Sequence, residues 1–125
     1  MNFKSQRQLN DFNELSNKNM KLLHIVTLLD NFTQLEFNKE IVVTDVFRTK
    51  EEFDALYAAT PVEKRPASSP HCTWNAVDLR SNTFTDSEIN TMLTFLNCFK
   101  NKNNKKVAIY HSIAGNVNHF HLQVF

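Results

Sequence analysis

The chain has 125 residues and a formal charge of +1, from 14 basic and 13 acidic side chains. Its 42% hydrophobic content, with eleven phenylalanines, supplies a core for one domain and excludes intrinsic disorder as the main state. The balanced charge is not that of a dedicated nucleic-acid binder, two cysteines are too few for a disulfide scaffold, and no apolar run reaches the ~20 residues that span a bilayer.

The first residues, Met1 to Arg7, are polar and show no secretory leader, so synthesis in the cytoplasm is expected. Phe3, Leu9, Phe12 and Leu15 form a loose helical stripe, read as an N-terminal helical extension over residues 1–18 of a single domain, 1–125. Leu22, Ile25, Val26 and Leu29 repeat at helical spacing and predict a core helix over 19–35, with His24 as a packed or half-exposed histidine within it. Ile41 to Thr44 is β-branched and predicts a short buried strand.

Thr49 followed by Glu52 is a capping-box pattern and opens a helix to Tyr57. Pro61, Pro66 and Pro70 mark residues 60–70 as a loop, and Val77 to Leu79 is a strand. Thr85 and Glu88 repeat the capping box before a helix with Ile89, Met92, Leu93, Leu96 and Phe99 on one face. Lys100 to Lys106 is a solvated basic loop. Val107 to Tyr110 and Phe120 to Phe125 are the last two strands, joined by a connection too short for a crossover helix. The order predicts an α+β fold: a small, mostly antiparallel sheet with helices packed on one face. The single glycine, Gly115, stands against sixteen asparagines, which take turn positions that glycine usually fills.

The chemistry-bearing residues gather in two places. His71 and Asp78 flank a loop that enters a strand. His119 and His121 share one face of the last strand, because strand side chains alternate with period two. Imidazole nitrogens and a carboxylate oxygen are zinc donors, and a catalytic zinc keeps three protein ligands and an open position for water. Spacing alone favours ordinary surface histidines and a capping aspartate over a metal site. Cys72, beside His71 on an extended segment, reads as an idle or packed thiol.

Ser69-x-His71-x(4)-Ala76-x-Asp78, followed far downstream by His119-x-His121, resembles the zinc D-Ala-D-Ala carboxypeptidase family. That family belongs to the group that includes lysostaphin-type endopeptidases and the hedgehog signalling domain. Val42 to Thr49 resembles the family's strand-to-turn segment ending in aromatic-Arg-Ser/Thr, and the likeness spans about residues 20–125. It implies zinc held by His71, Asp78 and His121 on the sheet, with His119 as a catalytic proton shuttle or oxyanion stabiliser. Arg48 and Ser69 would contact the substrate, a peptidoglycan peptide with D-amino-acid amide bonds. A monomer acting on the cell wall, of a phage-type lysis enzyme or a cytosolic peptidase, is the matching expectation, with no nucleic-acid partner and no membrane span.

Three positions depart from the family pattern. Trp74 stands where a glycine is usual; tryptophan normally needs ordinary φ angles, so the loop is expected to be shaped differently or to lend an aromatic wall to the cleft. Asp45-Val46 replaces the usual Ser-Gly before the arginine. Asn118 occupies the position of a general-base glutamate in a sister branch, and an amide cannot take up a proton in that role. His119, or His111, would then have to serve. The alternatives are a zinc-stabilised binding domain without turnover, of hedgehog type, and a metal-free structural or virion protein.

Overall fold

The computed structural model describes residues 1–111 and 117–125; Gly115 lies outside them. In chain order the elements are β1 (Asn2–Phe3), α1 (Gln6–Lys18), α2 (Met20–Phe37), β2 (Val42–Asp45), α3 (Lys50–Leu56), β3 (Ala76–Leu79), α4 (Asp86–Leu96), β4 (Ala108–His111) and β5 (His119–Gln123). Short 3-10 turns occupy Val62–Lys64 and Pro70–Thr73.

The class is α+β, as the element order predicts, but the sheet is mixed rather than small and antiparallel. It has five strands in the order β1-β2-β3-β5-β4. β1 runs parallel to β2, and the other three pairings are antiparallel. Two residues, Asn2 and Phe3, leave no periodicity to detect, so the edge strand is invisible in sequence. Their place is fixed by backbone bonds from Asn2 N–H to the Ile41 carbonyl and from Lys4 N–H to the Val43 carbonyl, both 2.9 Å.

One face of the sheet makes the core. Val43, Val77, Leu79, Phe120 and Leu122 pack with Leu15, Leu22, Ile25, Leu29, Met92 and Leu96 of α1, α2 and α4. Burying a side chain of this size contributes about 1.5–3 kcal/mol, so this face dominates the stability. The alternate residues of the same strands, Asp78 on β3 and His119 and His121 on β5, therefore point to the other face. His24 corrects its expectation: it lies on the exposed side of α2. Phe99 lies beyond the end of α4 yet still packs against the core.

Both predicted capping boxes are complete, at Thr49 with Glu52 and at Thr85 with Glu88. Asn19 joins the helical layer to the sheet: its side chain accepts from Leu22 N–H and donates to the Val124 carbonyl (2.8 Å) and the Trp74 carbonyl (3.2 Å). Among the described residues, no helix is long and apolar enough to cross a membrane.

α3 is tethered to α1 through Arg7, whose guanidinium donates to Glu52 (2.7 Å) and to the Phe47 carbonyl (3.0 Å). The Arg7 hydrogen bond, helped by the Thr49 backbone N–H, holds the Glu52 carboxyl down at about 2, against an ordinary 4.5. A depressed folded-state value adds stability above pH 4.5 that is lost as pH falls toward 2. Glu52→Gln keeps the capping geometry but removes the charge. Its melting temperature should fall less steeply than the wild type's between pH 4.5 and 2, as measured by thermal unfolding across that range.

Candidate metal centre

The site is built on the sheet face opposite the core. In register, Asp78 of β3 lies directly across from His121 of β5, and His111 of β4 lies across from His119 of β5. His71 reaches the same point from the 3-10 turn Pro70–Thr73, which Ser69 caps by accepting the His71 N–H at 3.2 Å. The turn also places Cys72 on tightly wound, not extended, backbone, and Cys72 stays outside the cluster.

His71, Asp78 and His121 come together as a group whose ligand atoms lie within 4.8 Å of one another. All three are buried, at 0%, 5% and 5% exposure. Asp78 Oδ1 is the hub, 2.9 Å from His121 Nδ1 and 3.1 Å from His71 Nε2. His71 Nδ1 donates to the Val46 carbonyl at 2.9 Å, which fixes the ring and leaves Nε2 as the nitrogen that faces the group. That Nε2 lies at ion-pair distance from Asp78 Oδ1 but makes no hydrogen bond among the described residues.

A fully buried imidazole nitrogen left without a partner costs about 1–3 kcal/mol. A cation at the shared focus removes that cost. Two imidazoles and one carboxylate, each oriented by neighbouring groups, form a donor set suited to zinc, so the residues fit a metal ion. Without the metal, the charges order themselves in the same direction. Burial alone would raise the Asp78 carboxyl, but His121 and His71 outweigh it and hold the group well below the usual carboxylate range. Burial likewise opposes a charged His71, and the adjacent Asp78 carboxylate overcomes it and raises the imidazole.

His119 flanks the cluster. Its Nδ1 faces the Val117 carbonyl at 3.2 Å, while Nε2 lies 3.5 Å from Asp78 Oδ2 and has no hydrogen-bond partner among the described residues. His111 packs its ring against both His119 and His121, at centroid distances of 5.1 and 5.2 Å. Burial first, then the neighbouring histidines, lower the His111 value and favour its neutral form.

Arg48 is half enclosed beside the cluster. It pairs with Asp45 and stands 3.8 Å from Asp78 Oδ2. The sequence reading missed Asp45. A register irregularity between Val43 and Asp45 sets Asp45 opposite Asp78, so two carboxylates face each other across neighbouring strands. Arg48 lies beside both and offsets their repulsion. The only sequence signal was Asp45 standing three residues before an arginine expected in the site.

Trp74 overturns its expectation. It adopts φ 62 and ψ 26, a left-handed conformation instead of the ordinary φ expected of tryptophan. That conformation costs about 1–2 kcal/mol for a residue with a Cβ. The indole stacks flat on Phe47, at 4.4 Å between centroids and 10° between planes. Such a pair contributes about 0.5–1.5 kcal/mol beyond its buried area, enough with that area to offset the strain. The stack joins the turn that carries Arg48 to the turn that carries His71. A backbone bond from Arg48 N–H to the His71 carbonyl, 3.3 Å, makes the same link.

No family model, no curated protein and no solved structure matches the chain.

The Trp74 geometry has a measurable signature. Trp74→Ala should unfold more easily than wild type by about 2–3 kcal/mol, since it loses the stack but keeps the backbone cost. Trp74→Gly should recover about 1 kcal/mol of that loss, because glycine adopts the left-handed conformation freely. Denaturant melts of the three proteins check the order wild type, Gly, Ala.

Proposed function

We propose that the chain is a zinc-dependent peptidase of the D-Ala-D-Ala carboxypeptidase type. Its substrates on this reading are peptidoglycan stem or cross-bridge peptides with D-amino-acid amide bonds. The observation that carries the reading is the buried His71, Asp78 and His121 group, whose His71 Nε2 has no hydrogen bond among the described residues. The ordered motifs that resemble that family supply the reaction class.

Bound zinc would supply Lewis acidity toward the amide carbonyl and a water acidified toward neutrality. The remaining work falls to the chain. On this reading His119, whose Nε2 is buried 3.5 Å from Asp78 without a hydrogen-bond partner among the described residues, would hold or deliver a proton at the reacting amide. Arg48 presents a guanidinium at the edge of the cluster, where it orients a substrate carbonyl. Ser69 holds the His71 turn through its cap and lines the adjoining cleft.

One observation favours a second reading, a zinc-stabilised binding domain without turnover. Asn118 is exposed at the position of the sister branch's general base and offers no proton acceptor there. The two readings separate on His119→Ala. On the peptidase reading, that variant retains about one zinc per chain and loses at least ~100-fold in muropeptide hydrolysis, the low end of a general acid–base contribution. His121→Ala should lose the zinc itself, as elemental analysis would read. Zinc bound only by the folded state should raise wild-type stability by about 2.7 kcal/mol at a free concentration a hundredfold above Kd, and chelation should abolish that gain. Zinc binding with no hydrolysis by wild type would instead support the binding domain. No zinc uptake at all would overturn both.

A further inference from the structure

One end of the molecule carries a block of lysines that the metal centre does not use. Lys18 and Lys21 stand where α1 meets α2, and Lys100, Lys102, Lys105 and Lys106 lie between α4 and β4. Hydrogen bonds tie the two segments together around residues 123–125. Lys21 Nζ donates to the Lys100 carbonyl at 3.1 Å, and the Asn19 side chain donates to the Val124 carbonyl at 2.8 Å. The Asn101 side chain donates to the Gln123 carbonyl at 3.0 Å and accepts the Phe125 N–H at 3.1 Å. A backbone bridge pairs Lys100 with Lys106.

All six lysines are exposed. The ion-paired lysines among the described residues are Lys39 and Lys50, neither of them in this block. The sequence has no Asp or Glu between Glu14 and Asp30, and none after Glu88. Glu14, one turn before Lys18, and a carboxylate at Phe125 offset the six charges only in part. The rest of the chain has eight basic and thirteen acidic side chains, so a near-neutral total conceals a strong separation of charge. Such a molecule turns its basic end toward a negative surface.

Two features select the kind of surface. Every basic side chain of the block is a lysine, a hydrated point charge on a flexible stem, not the planar arginine fork that reads single phosphates or bases. Met20 and Phe125, exposed at 45% and 52%, stand beside these lysines. A soluble polyanion leaves such apolar side chains in water. A lipid headgroup layer takes them in, and the buried apolar area adds to the attraction for anionic lipid. We propose that this end docks on an anionic membrane surface, with the lysines among the headgroups and Met20 and Phe125 dipping between them. Docking of this kind is independent of the peptidase reading. It would set the metal face close to the membrane: Lys18 Nζ lies 6.0 Å from the Trp74 ring centroid, beside the turn that carries His71.

The test is co-sedimentation of the full chain with two kinds of vesicle, phosphatidylcholine alone and an equimolar mixture with phosphatidylglycerol. The chain should bind the mixed vesicles only, and raised salt should weaken that binding. A lysine near an anionic surface is worth about fivefold, so Lys102→Gln, Lys105→Gln and Lys106→Gln combined should weaken binding about 100-fold. Arginine at the same three positions should restore it, and Lys64→Gln, outside the block, should leave it unchanged. Met20→Ser with Phe125→Ser should weaken vesicle binding about tenfold without changing the affinity for a soluble oligonucleotide. Met20→Ser alone serves should the pair fail to fold. No binding to the mixed vesicles, or binding that the three glutamines leave unchanged, overturns the docking surface. Vesicle binding retained in full by the serine variants overturns the membrane and leaves a soluble phosphate polymer as the partner of the lysines.

Discussion

Everything on the functional face is organised around one carboxylate. Asp78 is buried on β3, and its two oxygens are shared among three histidines and an arginine. A lone charge in that position would be untenable, since desolvating an ion costs several kcal/mol even after relaxation. The surrounding cations and imidazoles are what allow it to stay ionised. The dependence runs both ways: without Asp78, His71 and His121 would lose the group that draws them to a common point. Stability of the site and its capacity for a metal are therefore the same set of contacts.

The sheet supplies two of the three residues of the candidate metal group by register alone, since Asp78 and His121 are opposed across an antiparallel pair. The third needs a different device. His71 comes from a turn with no ladder to hold it, and it is positioned by contacts to the neighbouring turn. The Val46 carbonyl fixes its ring, Arg48 N–H takes its carbonyl, and Phe47 stacks on Trp74 just beyond it. Three consecutive residues, Val46, Phe47 and Arg48, thus each contribute one contact to the second turn. These contacts bring Arg48 beside Asp78.

Much of this was legible in the residues because the relevant signals are local. Helical stripes gave α1, α2 and α4, and Thr-x-x-Glu gave both capping boxes. Period-two alternation put His119 and His121 on one face, opposite Phe120 and Leu122. What escaped was either too short or too distant in sequence. β1 is two residues long and owes its existence to an edge that β2 offers. Asp45 gains its role from a strand irregularity and from Asp78, 33 positions away. His24 fell within an apolar run, yet the helix turns it outward. The conformation of Trp74 ran against its propensity because Phe47, in another segment, makes the strained conformation worth keeping.

The backbone angles carry a further consequence. The described residues with left-handed φ are Asn38, Trp74 and Asn104, each with a side chain. Glycine at such positions would fold with less strain but would leave an unfolded chain with more conformations to surrender. A sequence with a single glycine in 125 residues therefore shifts the cost of its turns. Some of it is borne as strain in the folded state, where Phe47 offsets it at Trp74 and local hydrogen bonding can offset it at the asparagines. Less is borne as entropy lost from the unfolded chain. Turns specified in this way are stiff before folding begins, which narrows the search for the two loops that must meet around Asp78.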